Sequence, residues 1–156
     1  MYSGGGPLPS PGKGAPAFVM IESVDSLRIA QALNRYCNEP MPILLEVNVG
    51  GESSKHGFAP ASLAEELAEI RKLPNLHVEG LMTVAPLVAD TEILRPLFRS
   101  LRELRDKLNL RTLSMGMTND FQVAISEGAT LIRIGRALLP WVATTPLDRK
   151  DPAGFA

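Results

Sequence analysis

Between Leu113 and Arg136 the sequence reads as strand, small-residue turn, helix, strand and turn, and this unit constrains the fold more than any other stretch. Leu113-Ser114-Met115-Gly116-Met117-Thr118-Asn119-Asp120-Phe121 opens as a short apolar run that ends among small residues. Gly128-Ala129-Thr130-Leu131-Ile132-Arg133-Ile134-Gly135-Arg136 supplies a second run ending at a glycine. A helical stretch over 119–127, closed by Gly128, separates them. A helix between two such runs is the crossover that joins parallel strands. Both strand ends then fall on one edge of the sheet, where backbone N–H groups and hydroxyls converge. Such an edge binds phosphate.

The rest of the chain repeats this alternation. Apolar runs at Phe18–Ile21, Ile43–Val49, His77–Met82, Arg111–Leu113 and 130–133 predict five strands. Between them lie helical patterns: one with Leu27, Ala30, Leu33 and Asn34 on neighbouring turns, capped by Asp25, one over 61–72, and a long one over Thr91–Leu108. Pro96 fits that last helix if it lies in the first turn. Gly50 to Phe58 is a polar loop. The fold class is α/β with a parallel sheet.

Length then decides how much of a larger architecture fits. The 156 residues suit one domain with a real core, since a chain of this size buries roughly 70% of its unfolded surface. A closed eight-stranded α/β barrel typically needs about 250 residues. Residues 1–17, rich in Gly and Pro, read as a flexible leader, 18–145 as a partial barrel and 146–156 as a tail. Sixteen basic and seventeen acidic side chains leave a net charge of −1, so neither nucleic acid nor a membrane surface is an expected partner. The single cysteine, Cys37, forms no internal disulfide and fits a reducing cytoplasm. His56 and His77 lack ligand spacing with each other or with Cys37, so no metal site is expected.

The candidate site residues cluster at the predicted strand ends. Ser114, Gly116, Met117 and Thr118 share one turn, and Arg133, Ile134 and Gly135 follow the next strand. Gly116 and Gly135 lack a Cβ, so a ligand can approach the backbone closely. Ordinary capping by Thr118, with Asp120 in the first turn, is the structural alternative for the first group. A surface ion pair is the alternative for Arg133. Asn48 and Met82, at or just beyond other strand ends, are placed to line the same mouth of a barrel, with plain packing as the alternative. Lys55 tempts as a nucleophile, but its polar loop gives no reason for the depressed pKa that a reactive lysine needs.

The order Ile21-Glu22-Ser23-Val24-Asp25-Ser26, Val47-Asn48-Val49-Gly50-Gly51-Glu52-Ser53-Ser54-Lys55-His56-Gly57-Phe58, Gly80-Leu81-Met82-Thr83-Val84-Ala85-Pro86 and the two C-terminal segments resembles the pyridoxal-phosphate (PLP) homeostasis proteins of YggS/PROSC type. The resemblance runs from about Ile21 to Leu139. It implies the barrel of the alanine racemase N-terminal domain, here covering about its last five strands, and PLP as the cofactor. By that resemblance Ser114, Gly116 and Thr118, with the Ile134 and Gly135 amides, hold the phosphate, and Arg133 faces the pyridine nitrogen. An arginine there keeps the nitrogen unprotonated and weakens the ring as an electron sink. The implied role is buffering or carrying PLP, with apo-enzymes as recipients, rather than strong catalysis.

The same resemblance shows what has no counterpart. The family's first strand carries the Schiff-base lysine, whereas Lys13, the only early lysine, sits among glycines and prolines. The chain therefore reads as N-terminally truncated, with a phosphate subsite and no catalytic residue. Its open sheet exposes two edges and one face, which favours association with another chain. Three other readings stand beside this one: an alanine-racemase-like PLP enzyme, a non-covalent module for another phosphorylated metabolite, and a non-functional fragment.

Overall fold

A computed structural model describes residues 18–52 and 56–135. The leader 1–17, Lys55 and the tail 146–156 lie outside the described residues. Five strands, β1 (Ile21–Val24), β2 (Met41–Glu46), β3 (Leu76–Met82), β4 (Thr112–Met117) and β5 (Leu131–Arg133), form one sheet in chain order. Every neighbouring pair is parallel. Helices α1 (Leu27–Tyr36), α2 (Leu63–Ile70), α3 (Arg95–Lys107) and α4 (Phe121–Ser126) fill the crossovers. These are five successive units of an α/β barrel, forming a half-barrel.

Sequence spacing explains each helix. Leu63, Leu67 and Ile70 of α2, and Phe98 and Leu101 of α3, recur at the three- and four-residue steps that place them on one buried face. They meet Ile43, Leu45, Leu81, Leu113 and Met115, which alternate along the strands and form the core with them. Glu65 and Glu66 in the first turn of α2, and Arg105 and Lys107 in the last turn of α3, complement the helix dipoles.

The sheet curls. Three strand spacings separate β1 from β4, roughly 14 Å across a flat sheet, yet Ser114 Oγ of β4 donates to Glu22 Oε2 of β1 at 2.8 Å. Arg133 of β5 likewise reaches back to the Thr83 carbonyl at the end of β3, 2.9 Å away. Only a sheet bent toward the face opposite the helices brings these groups together.

Several boundaries differ from the sequence pattern. The run 18–21 predicts the first strand, but pairing of Ile21 with Ile43 and Val24 with Leu45 places β1 at Ile21–Val24. Ser26, not Asp25, caps α1: its hydroxyl accepts from the Ile29 amide, while Asp25 accepts the Ser26 hydroxyl. The long helix expected from Thr91 begins as a 3₁₀ turn, Thr91–Leu94, and becomes α-helical at Arg95. Pro96, which lacks the N–H an interior helical position must donate, fixes that start. β4 runs through the small residues read as a turn, ending at Met117 rather than Leu113.

Candidate functional site at the open end of the half-barrel

The C-terminal ends of β3, β4 and β5 frame an open cavity of about 580 Å³. Met117, Thr118, Arg133, Ile134 and Gly135, all expected from the sequence, line it together with Asn119 and Asp120. Its opposite wall is the segment after β3, Ala85 to Val88, with Thr91 and Leu94. Asn48 lines a second cavity of about 260 Å³, which shares Pro86 with the first and also holds Glu46, His56 and Thr83. Ser114, Gly116 and Met82 are buried beneath and line neither cavity.

Thr118 is not the helix cap. α4 starts at Phe121 behind Asp120, and Asp120 Oδ1 accepts from the Met117 amide at 2.6 Å. That bond folds the turn between β4 and α4 and commits the Met117 N–H, leaving the Met117 side chain as its part of the cavity wall. Gly116 has φ +93°, and a Cβ there would lie 2.6 Å from Ala124 Cβ and 3.0 Å from Phe121 Cα. The glycine thus lets α4 pack on the strand end, whereas the sequence suggests ligand approach. Gly135 is different: among the described residues nothing lies within 4 Å of where its Cβ would be.

Arg133 is the best-held cation at the mouth. Nη1 donates to Ser114 Oγ at 2.7 Å and Nη2 to the Thr83 carbonyl at 2.9 Å. Glu22 Oε2 stands 3.9 Å from Nη1. Burial lowers the Arg133 pKa from the ordinary guanidinium value, opposed by the charges of Glu22, Glu46 and Asp120. Among the described residues it makes no surface ion pair: its hydrogen bonds go to a buried hydroxyl and a carbonyl. Thr83 ties three strands here, its hydroxyl donating to the Val47 carbonyl and its amide to the Ser114 carbonyl.

Sequence reasoning assigned no site role to Glu22, Glu46 or Thr83, and read Asp120 only as a first-turn acid. Glu22 is 1% exposed, in β1 directly after the apolar run that ends at Ile21. A carboxylate between Ile21 and Val24 was the available signal, because an ionised group is buried only where something compensates it. Glu46 ends β2, half-buried; burial and then the charge of Asp25 raise its pKa, while Arg133 and His56 lower it. Among the described residues no group of three potential ligands could hold a metal ion, and no helix is long and apolar enough to cross a membrane.

The model of the alanine racemase N-terminal domain family matches residues 8–139. The chain belongs to this family. Over 129 residues it is 46% identical to a pyridoxal phosphate homeostasis protein of Aquifex aeolicus, covering 77% of this chain and 57% of that protein. PipY of Synechococcus elongatus without PLP superposes with a TM-score of 0.72 at 34% identity, covering 78% of this chain and 61% of PipY. PipY with PLP bound gives 0.69 at 32% identity, covering 78% and 60%. The chain thus spans little more than half the length of the Aquifex relative, within the YggS/PROSC-type branch of the family.

The described residues fit the phosphate and ring ends of PLP better than its aldehyde end. A fixed guanidinium, the Thr118 hydroxyl and Gly135 border one cavity. The described lysines are Lys72, paired with Glu69 just after α2, and Lys107, in the last turn of α3. Helix C-termini lead into strand N-termini, so both lie at the end of the sheet opposite the cavity.

Proposed function

We propose that the chain binds pyridoxal 5′-phosphate non-covalently in the larger cavity and belongs to a protein that buffers or carries this cofactor. The observation that carries the reading is Arg133, held by Ser114, Thr83 and the nearby Glu22 at the mouth where the β4 and β5 ends meet. In this reading Thr118 and the 134–135 backbone take the phosphate, and Arg133 faces the pyridine nitrogen. Asn48 borders the neighbouring smaller cavity, and Met82 supports the site from beneath. Ser114 and Gly116 act from below, by holding Arg133 and by letting α4 pack. The PLP-bound relative and the curated homologue of the same family support it.

Bound there, PLP would supply an aldehyde that captures amines and a ring that withdraws electrons. The chain's own residues decide how strongly that ring acts. A guanidinium has no proton to give at neutral pH, so Arg133 donates a hydrogen bond to the ring nitrogen without protonating it. The site is therefore suited to storage and transfer rather than to strong amino-acid chemistry. PLP-dependent apo-enzymes as recipients, a cytoplasmic setting and self-association through the open edges complete the proposal.

An absorbance titration of the folded chain with PLP tests it, with inorganic phosphate as competitor and borohydride trapping with peptide mapping as the covalent control. The expected result is a saturable spectral change, reversed by phosphate, with no lysine trapped stoichiometrically. Failure of a folded chain to change the spectrum would overturn PLP binding. Stoichiometric trapping on any lysine would overturn its non-covalent character.

A further inference from the structure

We infer that Glu22 is the positioning residue for Arg133, acting through the hydroxyl of Ser114. Glu22 lies on β1, at the far edge of the sheet from Arg133 on β5. Its carboxylate is 1% exposed, and taking such a group out of water is costly unless it is paired. Its Oε2 accepts the Ser114 proton at 2.8 Å, and Ser114 Oγ in turn accepts from Arg133 Nη1 at 2.7 Å. The hydroxyl thus stands between anion and cation with its dipole aligned to both, an arrangement in which each bond strengthens the other.

The relay matters because other anions compete for the same guanidinium. Glu46 from the end of β2 and Asp120 from the β4–α4 turn also act on Arg133. Both line a cavity, whereas Glu22 sits deep in the sheet. Without the Glu22–Ser114 anchor, a long and flexible side chain is free to swing toward either. With it, one Nη edge is fixed between Ser114 and Thr83, and the remaining donors hold a constant direction. Glu22 Oε1 has no hydrogen-bond partner among the described residues. Glu22→Gln therefore replaces a charge while keeping an acceptor for Ser114.

The ligand part of this inference rests on the cavity taking PLP; the side-chain part does not. In the ligand-free chain, the Arg133 guanidinium should give a sharp, shifted ¹H–¹⁵N signal that broadens in Glu22→Gln and in Ser114→Ala. Each variant should weaken PLP by about tenfold, a 1.4 kcal/mol effect, while inorganic phosphate binds as before. The double variant should bind PLP no more weakly than the worse single, because both cut one relay. Folded variants with an unchanged Arg133 signal and an unchanged PLP-to-phosphate affinity ratio would reduce Glu22 to a buried structural group. If wild-type chain binds no PLP but the Arg133 signal still depends on Glu22, the positioning role stands and the PLP reading falls. Should Glu22→Gln fail to fold, Ser114→Ala alone decides.

Discussion

The two faces of the curled sheet carry opposite kinds of side chain from the same strands. Toward the helices, Ile43, Leu45, Leu81, Leu113 and Met115 pack on Phe98, Leu101, Leu67 and Ile70 without a polar atom among their side chains other than the Met115 sulfur. Toward the concave side, Glu22, Ser114 and Arg133 share hydrogen bonds and charge. Strand alternation assigns the residues to the two faces. The outer face has its full complement of partners, whereas Glu22 keeps an acceptor with none among the described residues. The convex side gathers the apolar core, and in the proposed reading the concave side carries the ligand-facing groups.

Perturbations of the two faces should therefore separate in what they damage. The largest expected effect is Phe98→Ala, which empties a fully buried ring position and should cost about 3–5 kcal/mol. Urea denaturation measures it, and the folded fraction should bind PLP normally. Arg133→Ala comes next: it leaves Glu22 without its cation and should cost about 2 kcal/mol. In contrast to Phe98→Ala, it should abolish PLP binding even where the chain is fully folded. A folded Arg133→Ala chain that still binds PLP would blur the contrast between faces.

Two carboxylates sharpen the comparison through pH. Glu127, beyond α4, is almost wholly buried and meets Arg95, Arg99 and Arg102 of α3. Hydrogen bonds from Arg99, with help from Arg95, hold its pKa below the ordinary glutamate range. A depressed folded-state pKa gives stability that is present above the unfolded value, about 4.3, and is lost as the pH falls through the folded one. Glu127→Gln should lower the melting temperature at pH 7 and flatten its acid limb. The raised pKa of Glu46 has the opposite sign: its stabilising contribution belongs to the protonated form and is lost as the pH rises through that value. Glu46→Gln should thus raise stability at pH 7, by under about 1 kcal/mol. Melting curves of both variants from pH 3 to about 8 decide the two signs.

The alternation of runs and helical patterns was enough to read parallel α/β architecture and the count of five strands, because period and punctuation are local properties. Register was not readable. The shift of β1 from 18–21 to Ile21–Val24 depends on its partner strand, which no local pattern reveals. The mouth residues Thr118, Arg133, Ile134 and Gly135 were legible because strand ends and small residues mark them. Glu22 escaped because its importance lies in a bond spanning 92 positions to Ser114. Gly116 has a packing role that was not legible, since only the packed position of Ala124 shows what its missing Cβ admits.

Strand order equals chain order throughout the sheet. Each new strand finds its partner in the one made just before it, across a single helical connection. Each connection is one crossover, the longest running from Glu46 to Leu76 and from Met82 to Thr112, and the entropic cost of closing it grows only slowly with length. Among the described strands the sheet can thus grow by one unit at a time, each pairing with its predecessor. The Glu22–Ser114 bond, by contrast, can form only once the fourth strand has joined.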